Sequence, residues 1–368
     1  MVRVLHLTGS TVDAFHTSLS RTYQEAVVRP PGFLHSRLHH EPDGSWWHFG
    51  DGDMGEALDW NGVAAIAGEH DVLVPHMFCP TGMTTMRALF EDVLGLPVAG
   101  PAAVSTTLAL GKWTAQAIAE AAGVACPQAV RVDHVSADLP FAPPFIVKPD
   151  AADNSKGLTL VRRRDQARAA LERALAQGGT AIVQRYIAGR EFRVGVLEWD
   201  GELRVLPALE YLVSAERPIR TLNDKLDVRA DDSVGTGRWE KPTIPSVCPA
   251  RIDDGLRARL AEAVRLLHPA FHGRDYGLFD FRVDASGKPW LLEPCTFWSF
   301  STRSVLSFMV NADPELELAD VAAAIWRRAA ARGRSLEPQP QPQVSRAALA
   351  AEVVQRMREE QNSRSTFE

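Results

Sequence analysis

The chain has 368 residues, of which 45% are hydrophobic, and its 40 basic and 46 acidic side chains give a formal net charge of −6. This composition excludes an intrinsically disordered chain. The acidic balance provides no basic surface for duplex nucleic acid, and no apolar run approaches the ~20 residues of a membrane-spanning helix. We therefore expect neither a nucleic-acid nor a membrane partner.

The four cysteines, Cys79, Cys126, Cys248 and Cys295, contain no CxxC pair. A chain of this length buries enough core to fold without disulfides, and its first residues hold no apolar signal-peptide core. A reducing, cytoplasmic location is therefore expected.

The first 100 residues alternate between strand and helix patterns. The predicted elements are strand 2–7, helix 18–27, strand 71–76 and helix 86–94. Residues 30–62 are rich in Pro, Gly, His and Trp and are expected to be irregular. The alternation predicts an open α/β domain over residues 1–100.

The rest of the sequence predicts two α+β domains and a tail. Residues 101–190 hold helix 105–122, strands 145–148, 158–161 and 180–186, and helix 164–177. Residues 191–333 hold strands 191–198, 203–209, 277–283 and 289–293, helix 254–267, and a helix that starts at Asp313-Pro314. The polar segment 213–247 lacks periodicity and is long enough to be a functional loop. Residues 334–368 are predicted to be a Pro/Gln linker and tail.

Two acidic residues lie in a predicted hairpin over residues 277–295. With Ala285 to Lys288 as its loop, Asp284 pairs with Pro289 and Asp280 lies opposite Glu293. Two carboxylates about 5 Å apart repel each other unless a cation lies between them, and hard oxygen ligands suit Mg²⁺. The alternative is a pair of solvated acids on an exposed sheet face.

A lysine, Lys148, ends an apolar strand and is followed by the small polar loop 153–157. Backbone N–H groups of such a loop and a fixed positive charge together form an anion site. By itself this pattern also fits an ordinary strand that ends in a lysine.

In their order along the chain, these patterns resemble those of the ATP-grasp ligases, in particular the D-alanine–D-alanine ligase branch. The similarity runs from about residue 1 to residue 312. Four segments carry it: LGLPVAGPAAVSTTLALGKW at 94–113, FIVKPDAADNSKG at 145–157, VQRYIAGREF at 183–192 and DFRVDASGKPWLLEPCT at 280–296. The resemblance implies an ATP-grasp fold with three domains, and ATP and Mg²⁺ as cofactors.

The resemblance also assigns roles to individual residues. It implies nucleotide contacts by Lys112, Lys148, Ser155 of the phosphate loop, Gln184 at the adenine edge and Glu191 at the ribose. It implies metal ligands at Asp280, Glu293 and Cys295, the last in place of the family's asparagine. It implies that Asp13 holds the amine of the first substrate and that Lys225 lies over the γ-phosphate.

The sequence departs from the family where the second substrate binds. The family's arginine that clamps a carboxylate falls on Leu278, and its glycine-rich segment becomes the bulky stretch 295–304. Arg303 is a candidate replacement clamp, because a guanidinium binds a carboxylate bidentately, and Ser304 matches a substrate-binding serine of the family.

The expected activity is ADP-forming carboxylate–amine ligation through an acyl phosphate, in specialised-metabolite biosynthesis. The expected partners are small amino-acid-like substrates, and a homodimer is left open. Three alternatives remain: D-alanine–D-alanine ligation itself, ATP-dependent ring closure within one substrate, and a nucleotide-binding regulatory protein without turnover.

Overall fold

The computed structural model describes residues 1–50, 52, 54–151, 155–231, 233–235 and 242–333, and residues 1–333 belong to one unit of structure. The described residues form four β-sheets with helices between them, which confirms the predicted α/β class. Asp153 and Asn154 of the predicted phosphate loop and the predicted tail lie outside the described residues. The division of residues 1–333 into three domains stays a prediction.

The N-terminal sheet has a parallel centre and an antiparallel edge. Its strands are β1 (Val2–Gly9), β2 (Phe33–His40), β3 (Trp46–Phe49), β4 (Gly55–Leu58) and β5 (Val72–Pro75). The order is β4-β3-β2-β1-β5, with β1 parallel to both β2 and β5. The accompanying helices are α1 (Ala14–Gln24), α2 (Trp60–Gly68), α3 (Pro80–Met83) and α4 (Thr85–Ala88), with a π-helical turn at Leu89–Val93.

The expectation of irregular structure over residues 30–62 is wrong, because this stretch holds β2, β3, β4 and the start of α2. The strands β3 and β4 form the edge of the sheet. β3 is half-buried and β4 is largely exposed, so neither shows a clear alternation of apolar and polar residues. The imidazole of His40 packs against the indole of Trp46, with ring centroids 4.4 Å apart.

A second, antiparallel sheet has the order β6-β9-β7-β8. Its strands are β6 (Ala129–Val132), β7 (Phe145–Pro149), β8 (Thr159–Val161) and β9 (Ala181–Arg185). A 3₁₀ turn at Arg164–Gln166 leads into α7 (Ala167–Leu175), whose alanine and leucine side chains join Phe145 and Val147 in one buried cluster. This sheet brings Lys148 to the end of β7.

The helix predicted over 105–122 is two helices, α5 (Ala103–Leu110) and α6 (Lys112–Ala121). Gly111 adopts an extended conformation between them, with φ −77° and ψ 106°, and so breaks the helix. Lys112 is therefore the first residue of α6, where its N–H donates to the carbonyl of Asp150 over 3.1 Å.

The third sheet holds most of the acidic residues of interest. The chain forms β10 (Arg190–Trp199), β11 (Glu202–Val205), β12 (Leu209–Tyr211), α8 (Leu222–Lys225), β13 (Asp227–Val228), β14 (Val234–Gly235), β15 (Ser246–Val247), α9 (Asp254–Ala270), β16 (Tyr276–Val283) and β17 (Pro289–Cys295). The order is β15-β12-β10-β16-β17, with β11 on β10, while β13 and β14 pair with each other. The final helices are α10 (Val305–Asn311) and α11 (Leu318–Ala331).

Asp313-Pro314 does not begin a helix. The helix α10 ends at Asn311, and the next one begins only at Leu318. The Asp313 carboxylate instead accepts two hydrogen bonds from Arg204, at 2.7 and 3.0 Å, which holds this turn against β11.

The hairpin of β16 and β17 places Asp280 opposite Glu293, as predicted. Its loop differs from the prediction, because Pro289 pairs with Val283 and not with Asp284. A register shift between Asp280 and Phe281 compensates for this difference. The pairing of the two acids is thus right although the register next to the loop is wrong.

Candidate active site

Three charged side chains lie in line across three neighbouring strands. Arg193 of β10 pairs with Asp280 of β16, which pairs in turn with Glu293 of β17. Arg193 donates to both oxygens of Asp280, from Nε to Oδ1 and from Nη2 to Oδ2, the latter over 2.6 Å. Burial opposes the charge of Arg193, but the Asp280 carboxylate raises the pKa of this guanidinium well above its usual value. Asp280 is therefore held as a charged, buried carboxylate.

A second group of ionic contacts adjoins the first. Glu191, on the same strand as Arg193, is buried and accepts from Arg220 over 2.5 Å and from Arg282 over 2.9 Å. Arg220 also reaches Asp280, with Nη2 3.6 Å from Oδ2. Its guanidinium carbon lies 3.4 Å from the centroid of the Tyr211 ring. Arg220 thus links the two buried carboxylates.

Glu293 is surrounded by cations. Burial acts to raise its pKa, but the neighbouring positive charges outweigh burial and bring it down to about 2. These charges belong to Lys225, Lys112, Lys148 and Arg193. Burial lowers the pKa of Lys148 to about 8, and it also lowers the pKa of Lys225. Lys148 Nζ donates to the carbonyl of Leu292 over 3.4 Å.

These side chains line a cleft, here called the polar cleft, whose other walls are apolar. Its lining includes Lys112, Ile146, Lys148, Ser155, Lys156, Leu158, Gln184, Tyr186, Ile187, Glu191, Arg220, Lys225, Asp280, Arg282, Leu292 and Glu293. Ser155 has a left-handed φ of 61°. Gly157 follows with φ 75°, and a Cβ there would lie 2.8 Å from Pro149 Cγ, so only glycine lets the loop approach β7 this closely.

A larger cavity, here called the apolar cavity, adjoins the polar cleft. Lys112, Arg220, Lys225 and Glu293 line both. The walls that belong to it alone include Tyr23, Phe78, Arg193, Tyr211, Ile244, Leu278, Cys295, Phe297, Arg303, Ser304 and Phe308. Its volume of about 600 Å³ lies within the range of small-molecule sites, roughly 300–1,000 Å³.

The structure brings most of the residues predicted from sequence into this region. Those that line the polar cleft are Lys112, Lys148, Ser155, Gln184, Glu191, Lys225, Asp280 and Glu293. Those that line the apolar cavity but not the cleft are Cys295, Arg303 and Ser304.

The predicted residues in the apolar cavity are already held by protein contacts. The Ser304 hydroxyl donates to the carbonyl of Ser301 over 2.6 Å and accepts from the indole of Trp298 over 2.9 Å. Arg303 donates to the carbonyl of Thr22. In this arrangement the serine supports the wall of the cavity.

Asp13 is not among the residues that line either site. It caps α1 by accepting from the backbone N–H of His16 over 2.8 Å, and its side chain is 45% exposed. Burial acts to raise its pKa, but hydrogen bonds from His16 and the charge of Lys156 lower it. Asp13 is therefore within electrostatic reach of a lysine of the polar cleft.

Three functional arginines escaped the sequence analysis: Arg193, Arg220 and Arg282. Arg193 carried a usable signal, because it is two residues beyond Glu191 on one strand and so shares its face. Arg220 lies in the polar segment without periodicity, where no pattern predicts which side chain turns inward.

The donors present suit a metal ion that is bound together with substrate phosphates. Among the described residues, no cluster of three or more His, Cys, Asp or Glu side chains could hold a metal ion. Asp280 and Glu293 supply two carboxylates, and each Asp280 oxygen keeps a lone pair beyond the one that Arg193 uses. Cys295 has its Sγ 3.8 Å from the carbonyl of Phe297, and a neutral thiol is a poor ligand for Mg²⁺. This set fits Mg²⁺, which binds through one or two carboxylates plus phosphates.

No helix in the described part of the chain is long and apolar enough to cross a membrane. None of the four cysteines forms a disulfide bond.

The chain is similar to several known proteins. The family model "D-ala D-ala ligase C-terminus" matches residues 127–320, more than half of the chain. The uncharacterized protein y4sG of Sinorhizobium fredii is 30% identical over 226 residues, which are 60% of this chain and 62% of that protein. A D-alanine–D-alanine ligase of Anaeromyxobacter is 27% identical over 223 residues, 58% of this chain and 66% of that enzyme. The matches thus span slightly less than two thirds of these relatives.

Solved structures share the fold over nearly the whole described chain. The VanG D-Ala:D-Ser ligase from Enterococcus faecalis superposes with a TM-score of 0.70 at 21% identity, covering 88% of this chain and 99% of that one. The D-alanine–D-alanine ligase from Coxiella burnetii gives a TM-score of 0.70 at 14% identity, covering 90% and 94%. At these identities the likeness shows the fold alone.

Proposed function

The chain belongs to the D-Ala–D-Ala ligase family and has its ATP-grasp fold, and we propose on that premise that it is an ADP-forming carboxylate–amine ligase. It would activate the carboxylate of an amino-acid-like substrate as an acyl phosphate and pass the acyl group to an amine. The observation that carries this proposal is the polar cleft, in which buried carboxylates and lysines surround one space with apolar walls.

The cleft offers a distinct environment for each part of ATP. Ile146, Leu158 and Ile187 provide apolar surface for the adenine, with Gln184 beside them. Glu191 is the acceptor that we assign to the ribose. Arg220 and Arg282 already donate to it, so they fix its orientation before the nucleotide binds.

The phosphates would lie among the lysines. Lys148 and Lys112 flank Glu293 at the inner end of the cleft, and Ser155 belongs to the loop above them. Bound there through Asp280 and Glu293, Mg²⁺ would neutralise charge on the phosphates. Lys225 would stabilise the γ-phosphoryl group during transfer, since positioning and electrostatics carry most of the catalysis in phosphoryl transfer.

Water must be kept from the acyl phosphate, which hydrolyses readily. Arg220 and Lys225 both come from the polar segment 213–247, and Arg220 is only 8% exposed. Ile219, Arg220 and Lys225 of this segment therefore already line the cleft. We propose that it shields the reacting carboxylate from solvent while the amine arrives from the apolar cavity.

The apolar cavity favours a role in specialised metabolism. Leu278, Phe297 and Phe308 contribute apolar surface to the space next to the phosphates. Ligation of D-alanine to D-alanine and ring closure within one substrate both remain consistent with the family. We place the reaction in the cytoplasm, where ATP is abundant and the free cysteines stay reduced.

Release of ADP tests the proposal directly. The full chain is incubated with ATP, Mg²⁺ and L- or D-amino acids, singly and in pairs, and ADP and phosphate are measured. We expect ADP release that depends on the amino acid and is lost in Lys148→Ala. A matched control is Lys288→Ala, a change in the hairpin turn outside both sites. Tight ATP binding without substrate-dependent ADP release would indicate a regulatory protein and refute the proposal.

A further inference from the structure

The apolar cavity is larger than a small amino acid needs. Its volume of about 600 Å³ opens onto the polar cleft through shared residues. The surfaces away from the cleft come from separate parts of the chain. One side of them is aromatic and aliphatic, with Tyr23, Phe78, Tyr211, Ile244, Leu278 and Phe297, and polar side chains such as Asp224, Ser299 and Asn311 line the remainder. A cavity lined in this way binds an apolar group.

Cations lie where the cavity meets the cleft. Lys112, Arg220 and Lys225 line both spaces, and Arg193 lines the cavity while holding Asp280 of the cleft. Arg193 uses Nε and Nη2 for this contact, and within the described chain its Nη1 makes no hydrogen bond to protein. A ligand with a carboxylate would place it toward this junction and its apolar body toward the aromatic walls.

One aromatic wall residue is exposed. Phe308 lines the cavity, yet 43% of it is accessible, whereas its neighbours Ser307 and Met309 on α10 are fully buried. Within the described residues, Phe308 thus carries partly accessible apolar surface at a wall of the cavity. A ligand of sufficient size would cover it.

From the cavity size, the apolar walls and the position of the cations, we propose that the substrate bound here is a carboxylic acid with a large apolar body, of the size of a phenylalanine side chain. This inference rests on the proposed function and specifies its substrate class. Alanine would leave most of the apolar wall in contact with water. One methylene group more or less in an apolar pocket changes specificity by about 10- to 200-fold, so a whole aromatic ring discriminates strongly.

Binding and turnover of a graded series test this inference. The full chain with Mg²⁺ and ADP is titrated calorimetrically with alanine, valine, leucine and phenylalanine, each as L and D forms. The same compounds are then compared by kcat/KM for ADP release. We expect affinity and kcat/KM to rise with side-chain size in the preferred chirality, with phenylalanine at least 100-fold better than alanine.

Phe308→Ala shows whether the cavity is responsible. It removes an exposed ring, so we expect the fold and the ATP affinity to be unchanged. For phenylalanine, KM should rise about tenfold with little change in kcat, while KM for alanine should rise far less. Trp60→Ala removes another exposed ring, 47% accessible and outside both sites, and should change neither. Equal effects of Phe308→Ala on alanine and phenylalanine would overturn the inference.

The two proposals fail in different ways. Preferred binding and turnover of alanine would overturn the inference about substrate size while supporting ligase activity. Stronger binding of phenylalanine than of alanine, with no ADP release from any acid or pair, would support the cavity assignment and refute the ligase. Equal, weak binding of all acids would overturn the inference whatever the outcome for turnover.

Discussion

The polar cleft and the apolar cavity share a wall but are built from different chemistry. The cleft consists of charges that hold one another: Glu191 with Arg220, and Asp280 with Arg193. The cavity combines aromatic and aliphatic side chains from distant parts of the chain, such as Tyr23 in α1 and Phe308 in α10, with polar groups between them. The half of the site that we assign to the phosphates is thus constrained by electrostatics, whereas the half that we assign to the rest of the substrate tolerates changes of shape.

This difference also decides which changes each half tolerates. Removing a buried charge from the cleft leaves its partner unpaired in a medium of low dielectric constant, which strongly destabilises the folded protein. Replacing one apolar side chain of the cavity by another changes volume at a smaller cost. Variants should therefore affect all substrates when they lie in the cleft and only some substrates when they lie in the cavity.

The largest effect is expected at Glu293. Glu293→Gln keeps the size of the side chain but removes a negative charge that is fully developed, since its pKa is about 2. We expect turnover to fall on the order of 10³-fold, because a charge on which the metal and the lysines converge is lost. Steady-state ADP release measures this, and thermal unfolding checks that the fold persists.

Cys295→Asn is the matched variant on the same strand. Cys295 lines the apolar cavity and not the polar cleft, and its neutral thiol suits Mg²⁺ poorly. Turnover and Mg²⁺ affinity should be retained or increased. A severe loss in Cys295→Asn together with a mild loss in Glu293→Gln would assign the chemistry to the thiol and contradict the metal site.

The contact between Arg193 and Asp280 gives the next largest effect. Both side chains are mostly buried, at 15% and 4% exposure, so Arg193→Leu should leave Asp280 charged without its main partner. Breaking such a pair costs about 3–5 kcal/mol, which chemical unfolding measures. The double variant that combines Arg193→Leu with Asp280→Leu should recover part of this lost stability, and a double-mutant cycle measures the coupling between the two residues. Added Mg²⁺ should stabilise Arg193→Leu more than the parent chain, because the freed Asp280 oxygens then accept a cation.

Some parts of this structure can be predicted from local sequence patterns, whereas others depend on contacts that a single sequence does not reveal. Buried strands such as β1 and β7 follow from local sequence patterns, and the pair Asp280–Glu293 follows from the predicted hairpin although the register next to its loop is wrong. The edge strands β3 and β4 do not, because half-exposed strands lack an apolar alternation that a single sequence reveals.

The site shows the same division. Lys148 and Glu293 were predicted as site residues from their positions on strands and from the order of the motifs along the chain. The position of Arg220 in the site depends instead on how a polar segment folds back onto the sheet. The walls of the apolar cavity look like ordinary core residues in sequence. Phe297 and Leu278 are apolar whether they face a core or a ligand, so only the assembled structure distinguishes the two.

Lys148→Ala should weaken ATP binding without harming the fold. The side chain ends β7 and makes one hydrogen bond, to the carbonyl of Leu292, so its removal leaves little core volume empty. A hydrogen bond to a charged group is worth about 1.5–3 kcal/mol, which corresponds to roughly 10- to 100-fold in the Kd of ATP. Calorimetric titration measures this Kd. Unchanged affinity, with Lys288→Ala as the reference, would contradict the phosphate site.

The smallest effect expected is the pH dependence of ATP binding. Burial lowers the pKa of Lys148 to about 8, so this lysine is charged at pH 7 and loses its proton as the pH rises through 8. The phosphates bind the protonated form of Lys148. Above pH 8, Lys148 must first take up a proton before ATP binds. The affinity should therefore be flat below pH 8 and fall by about tenfold per pH unit above it.

In Lys148→Arg the guanidinium stays charged throughout, so the fall should largely disappear. Burial also lowers the pKa of Lys225, and the slope that remains in Lys148→Arg reports on that second lysine. An affinity that stays constant from pH 7 to 9.5 in the parent chain would mean that Lys148 does not give its charge to the phosphates, and the contrast between a charged cleft and an apolar cavity would lose its electrostatic basis.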